Sequence, residues 1–215
     1  ELDQSSKPSH AIVAVPVSNL TETCISLSEI GVNNILVEKP AGLDEEQLAL
    51  LTDASTKNKT TIRVAYNRRY LSSVLRAQEI IKEDGGVTSF NFEFTEWGHI
   101  IGKLDKSAKE LDSWFLANST HVVDLAFYLG GRPEVLHSIV QGSMDWHTKA
   151  SRFAGCGVTA DKATFSYQAN WDAPGRWVLE VLTAKHRLIF KPLEKLQIQK
   201  KGAVAVDFVD VDDHL

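Results

Sequence analysis

Four short stretches hold side chains able to bind a polar ligand or move a proton. Glu38-Lys39-Pro40 closes the apolar run Ile35-Leu-Val37. Open α/β sheets take their ligands at the carboxyl ends of their strands, so a lysine there stands over the crevice with Glu38 beside it. A solvated strand-end lysine is the plain alternative for the tripeptide alone. Pro16, Ser18 and Asn19 follow an earlier apolar run and line the same crevice. Asn67, Arg68 and Arg69 follow a third run, where guanidinium groups suit hydroxyls or an anionic group, or else brace a domain junction. In Asn118-Ser-Thr-His121-Val-Val-Asp124, helical spacing puts His121, Asp124, Leu125 and Tyr128 on one face. An imidazole in a first helical turn beside polar caps suits proton exchange near neutral pH. A buried histidine bonded to its neighbours is the other reading.

Other signals are weaker. Trp97, Trp114, Trp171 and Trp177 lie near turns, where indole rings stack on sugars or simply pack. Arg176, after a Pro-Gly turn, would sit at a rim. The one dinucleotide-type glycine pattern, Gly155-Cys-Gly157-Val-Thr-Ala160, runs into an alternating segment and opens no helix, so it reads as a hairpin or loop. No HxxxH, CxxC or HExxH spacing occurs, and no metal site is expected.

The elements that must position these residues follow from periodicity. Residues 11–16, 35–37 and 61–65 are short apolar strands, with helices over 20–30 and 43–54 between them. Parallel strands joined by crossover helices make a doubly wound α/β piece, residues 1–66. From residue 67 the pattern changes. A helix over 71–82 precedes an alternating, half-buried antiparallel strand over 87–97, carrying Phe90, Phe92 and Phe94. Residues 98–113 read as a loop and 120–129 as a helix. Strands are expected at 135–141, 162–170, 177–183, 187–190 and 195–199, and the acidic tail from Val204 is expected to fray. The fold class is α/β, with a partial Rossmann-like parallel sheet followed by an α+β domain, residues 67–215, built on a large open, mostly antiparallel sheet.

The chain has 215 residues, 43% hydrophobic and 24% charged, which suits one or two globular domains. Its 23 basic and 28 acidic residues give a net charge of −5, so neither nucleic acid nor an anionic membrane is an expected partner. No apolar run reaches the roughly 20 residues of a membrane span. Two cysteines make no disulfide framework, and a cytoplasmic location is expected.

In order, these stretches resemble the Gfo/Idh/MocA family of NAD(P)-dependent oxidoreductases: Ala11–Pro16, Ile35-Leu-Val-Glu-Lys-Pro40, Tyr66-Asn-Arg-Arg-Tyr70, His121-Val-Val-Asp-Leu-Ala-Phe-Tyr-Leu-Gly130 and Trp171–Trp177. The resemblance implies NAD or NADP as cofactor, a sugar, cyclitol or nucleotide-sugar substrate, and a homo-oligomer formed through the open sheet. It implies Lys39 and His121 as the catalytic pair, with Pro16, Ser18, Asn19, Glu38, Lys39 and Asn67 beside the cofactor. Arg68, Trp97, Asn118, Asp124 and Arg176 would line the substrate site. Two departures stand out. Many members carry an aspartate four residues before the histidine, where this chain has Ala117, so Asn118 or Asp124 is expected to orient His121. The Gly-rich turn and first strands of the Rossmann domain are not seen before residue 11, so a truncated form is expected. A non-catalytic binding or oligomerisation module of the same fold is the alternative.

Overall fold

The computed structural model describes residues 7–211. They group into two compact units: residues up to Tyr66 with Lys106–Thr120, and Asn67–Asp105 with residues from His121 onward.

The first unit is built on three parallel strands, β1 (His10–Val13), β2 (Asn34–Glu38) and β3 (Thr61–Ala65), in the order β1-β2-β3. Helix α1 (Leu20–Glu29) joins the first two and α2 (Glu45–Asn58) the last two. Asp44 caps α2 by accepting from the Gln47 amide at 2.8 Å. Period-2 alternation sorts the sheet into two faces. Val13, Val37 and Val64 stand in register on the face that packs with Leu20, Cys24, Ile35 and Leu51. On the other face Ile12, Leu36 and Arg63 stand in register and exposed, Ile12 at 78%. Burial in this sheet is therefore confined to one face. The rest of the unit is a short helix, Ala108–Asp112, and a π-helical turn, Phe115–Ser119. The polar stretch expected to be a loop holds this helix and another turn, Gly98–Ile101, because Ser107 and Glu110 form a reciprocal capping box.

The second unit centres on an eight-stranded sheet. Helix α3 (Ser72–Glu83) precedes β4 (Ser89–Glu93), and α4 (Thr120–Gly130) precedes β5 (Pro133–Gln141). Then come β6 (Arg152–Thr159), β7 (Thr164–Asn170), β8 (Val178–Leu182), β9 (His186–Phe190), β10 (Leu196–Lys200) and β11 (Asp207–Phe208), in the order β11-β10-β9-β8-β4-β7-β6-β5. Every pairing is antiparallel except β4 with β7, so the sheet is mostly antiparallel as expected, and β4 pairs antiparallel with β8 and parallel with β7. Phe90, Phe92 and Phe94 do share one buried face. The Phe127 ring of α4 meets Phe90, Phe92 and Phe165 edge-on at 5.0–5.7 Å.

The glycine pattern expected to be a hairpin or loop is one arm of a hairpin, strand β6, which turns through Ala160 into its antiparallel neighbour β7. A Cβ at Gly155 would fall 2.4 Å from the Tyr167 ring, and one at Gly157 would fall 1.9 Å from the Val135 carbonyl. These glycines let neighbouring strands close up, a packing role that leaves no phosphate turn. In the acidic tail Asp207 and Phe208 pair with β10, and residues 212–215, like 1–6, lie outside the described residues.

Candidate functional site

In the first unit the candidate residues gather at the carboxyl ends of β1 and β2. Beyond β1 the chain turns through Pro16 into a single 3-10 turn, Val17–Asn19, whose Ser18 and Asn19 side chains are exposed and bonded to each other at 3.0 Å. Beyond β2 the turn is tight. The Ala41 amide donates to the Glu38 carbonyl at 3.1 Å, and Ala41 takes φ 70°. That left-handed conformation costs a non-glycine residue about 1–2 kcal/mol. The Thr21 hydroxyl of α1 holds it by donating to the Ala41 carbonyl at 2.8 Å. Glu38 stays exposed, its carboxylate taking the Lys39 amide at 3.2 Å. The Lys39 ammonium is partly buried and donates to the backbone carbonyl of Ala117. Ala117 and Asn118 belong to the π turn, whose widened ladder carries Thr120 N–H back to the Phe115 carbonyl. Single π turns inside helices recur at functional sites. Lys39 and the Ala117-Asn118 segment are thus brought together.

In the second unit His121, in the first turn of α4, lays its ring 5.9 Å from that of Trp177. Arg68 stands over the same indole at 5.2 Å and Arg176 at 4.4 Å. Arg176 also reaches Trp97 at 5.1 Å, and Trp97 is 51% exposed, its indole N–H bonded to the Gly175 carbonyl at 3.1 Å. His121, Arg68, Trp97 and Arg176 therefore form one constellation around Trp177. Asn67 lies beside it, lining with Arg68, Tyr70, Leu71 and Glu194 a cavity of about 420 Å³. Arg68 also meets Glu194 at 3.3 Å.

Asp124 is placed differently from the expectation that it orients His121. Its carboxylate takes both Nε and a terminal nitrogen of Arg69, the first at 2.8 Å. Hydrogen bonding to Asp124 raises the Arg69 pKa above its ordinary value. The guanidinium also lies 4.7 Å over the Tyr128 ring. The pair locks the segment after β3 to α4.

Glu96 is the residue that sequence reasoning left out of the site, and Trp177, named there only as one of four indoles near turns, is its centre. Glu96 is 1% exposed and accepts from the Trp177 indole and from Arg176, each at 3.2 Å. Its signal was parity. It continues Phe90, Phe92 and Phe94 by one more step of two, which puts a carboxylate on the buried face and demands partners there. Among the described residues, no group of three or more His, Cys, Asp or Glu side chains is placed to hold a metal ion, and no helix is long and apolar enough to cross a membrane.

No protein-family model matches the sequence, and no curated protein matches it. Solved structures do. A levoglucosan dehydrogenase in complex with NADH and L-sorbose superposes with a TM-score of 0.74 at 22% identity, over 94% of this chain and 61% of that one. A UDP-N-acetylglucosamine 3-dehydrogenase from Acidithiobacillus ferrooxidans gives 0.72 at 14% identity, over 98% and 66%. An NAD binding oxidoreductase from Klebsiella pneumoniae gives 0.73 at 17% identity, over 93% and 59%. The chain thus spans less than two thirds of the length of each. What these similarities show is the fold, a small parallel sheet joined to a large open one.

Proposed function

We propose that the chain carries the catalytic residues of a Gfo/Idh/MocA-type oxidoreductase acting on a hydroxyl or carbonyl of a carbohydrate-like substrate, in the cytoplasm. The observation that carries this is the anchoring of Lys39 on the carbonyl of Ala117, four residues before His121, in a fold that dehydrogenases share. The residues fit the nicotinamide-ribose half of a dinucleotide. Ser18 and Asn19 at the end of β1, and Glu38 and Lys39 at the end of β2, are polar, accessible or half-accessible, and set at strand carboxyl ends. Asn67 would serve the nicotinamide end.

Bound NAD or NADP supplies the hydride acceptor. The chain's own residues handle the proton and the charge. An imidazole nitrogen of His121 takes the proton of the substrate hydroxyl, and in the reverse direction returns it to the carbonyl oxygen. The Lys39 ammonium stabilises the oxygen as negative charge develops, an effect worth more in a water-poor cleft than in bulk. Anchoring one of its three N–H donors fixes the direction of the head group. Trp97 offers an exposed ring on which a sugar face stacks, while Arg68, Arg176 and Asn118 offer donors to its hydroxyls.

The test is a fluorescence titration with NADH and NADPH, followed by turnover assays on a panel of polyols and sugars. Nucleotide binding, with turnover abolished in His121→Ala, supports the reading. Absence of nucleotide binding, or turnover untouched by His121→Ala, overturns it.

A second reading, a binding or oligomerisation module, is favoured by β5. Every residue of this edge strand is exposed, Val135, Leu136, Ile139 and Val140 among them. Such an edge suits pairing with a second copy through the open sheet. Light scattering across a dilution series decides the oligomeric state, and a monomer at all concentrations removes this reading.

A further inference from the structure

We infer that Glu96 is a positioning residue for His121, acting through the indole of Trp177. This deepens the proposed function and rests on it only for the chemistry assigned to His121. The geometry stands by itself. A carboxylate withdrawn from water to this degree persists only with strong partners. Glu96 has two on this side, one oxygen taking the Trp177 indole N–H and the other the Arg176 guanidinium, each at 3.2 Å. The Trp177 side chain is buried, and its ring forms the wall against which the His121 ring rests at 5.9 Å, tilted by 49°.

The strand end that carries Glu96 is itself tied down. The Thr95 hydroxyl accepts from the Asn170 amide at 3.1 Å, and the Trp171 indole donates to the Phe94 carbonyl at 3.1 Å. Gly175 lets the 171–177 turn close on this segment. A Cβ there would come within 2.6 Å of the Glu93 carboxylate and 2.8 Å of the Thr95 methyl. Glu96 is therefore a fixed point, and Trp177 transmits its position to the imidazole. Because Glu96 also neutralises Arg176 at the half-exposed rim, the constellation presents little net charge there. That suits a neutral polyhydroxylated ligand better than an anionic one.

The experiment is chemical modification of histidines by diethyl pyrocarbonate, mapped by peptide mass spectrometry on the folded chain. His10 and His137, both exposed, serve as internal references. In Glu96→Ala the His121 rate is expected to rise by about threefold or more, as local opening frees the ring, with the reference rates unchanged. Glu96→Gln is expected to restore the wild-type His121 rate, since an amide oxygen still accepts from the indole. Trp177→Phe, which keeps a ring but removes the N–H donor, is expected to raise the His121 rate as well, and it decides the matter if Glu96→Ala does not fold. An unchanged His121 rate in either folded variant, an equal rise at every histidine, or failure of Glu96→Gln to restore the rate overturns the inference. The readout needs neither nucleotide nor turnover. A chain that binds no NAD(P)H yet shows the selective rise loses the catalytic reading and keeps the positioning one.

Discussion

Lys39 donates from its side-chain ammonium to the backbone carbonyl of Ala117, 78 residues further along the chain. A strand-end lysine left in solvent would need no such anchor. This one is held by main chain at a point where the helical ladder has widened into a π turn. Its role is testable by separating chemistry from folding. Lys39→Met is expected to lower turnover by about 100-fold, the scale of losing one charge-stabilising donor. Urea unfolding of the same variant should move by about 1 kcal/mol or less. A parallel collapse of stability and activity would mark the lysine as structural.

Arg69 and Asp124 form a two-pronged pair, with the carboxylate mostly shielded and the guanidinium about one third exposed. Removing one partner strands the other in a poorly hydrated place. Asp124→Ala is expected to cost about 2–3 kcal/mol in denaturant unfolding. Arg69→Lys should recover little of the loss in Arg69→Ala, because an ammonium lacks the planar fork. Full recovery by lysine would show that only charge matters there.

Gly157 is required by the spacing between β5 and β6. Its missing Cβ would overlap the Val135 carbonyl, which is backbone and cannot swing aside. Gly157→Ala is expected to destabilise the chain by about 1–3 kcal/mol, with hydrogen-exchange protection lost first along residues 133–141. Retained protection in β5 would contradict this.

Burial pushes the Asp84 carboxyl up, but hydrogen bonds from Thr183 at 2.6 Å and His186 at 2.7 Å prevail and hold it below its ordinary value of 3.8. A carboxylate with a lowered folded pKa contributes stability that is fully present above its unfolded value. That contribution disappears as pH falls through the folded one. Unfolding free energy measured against pH should therefore drop below about pH 4, and Asp84→Asn should flatten that acid limb. An acid limb of the same slope in Asp84→Asn would assign the loss to other carboxylates.

Much of the fold was legible because its elements carry strong periods. The β2 and β3 runs and the phenylalanine alternation of β4 each announce themselves locally. What was not legible depends on partners remote in sequence. Gly155 and Gly157 read as a hairpin or loop, and their close-packing role is hidden until Tyr167, Phe165 and Val135 come up beside them. The exposed face of Ile12 and Leu36 cannot be foreseen from an apolar run, since burial on one face or two depends on what packs there. In the site, His121, Arg68, Trp97 and Arg176 were each identified by residue type and turn context, and the structure adds Trp177 as their common neighbour. The partner of Asp124 stayed hidden, because two adjacent arginines give no sign of which one turns toward α4.

The central place of β4 has a consequence for synthesis. Ser89 pairs with Thr164 on one side and with Leu182 on the other, so both neighbours of this strand are translated long after it. As the chain leaves the ribosome, the three phenylalanines of residues 90–94 emerge ahead of the Phe127 ring and of both neighbouring strands, whereas β1, β2 and β3 find one another within consecutive crossovers. The chain must therefore close its central sheet through long-range pairings that are complete only once β8 has followed β4 and β7 out.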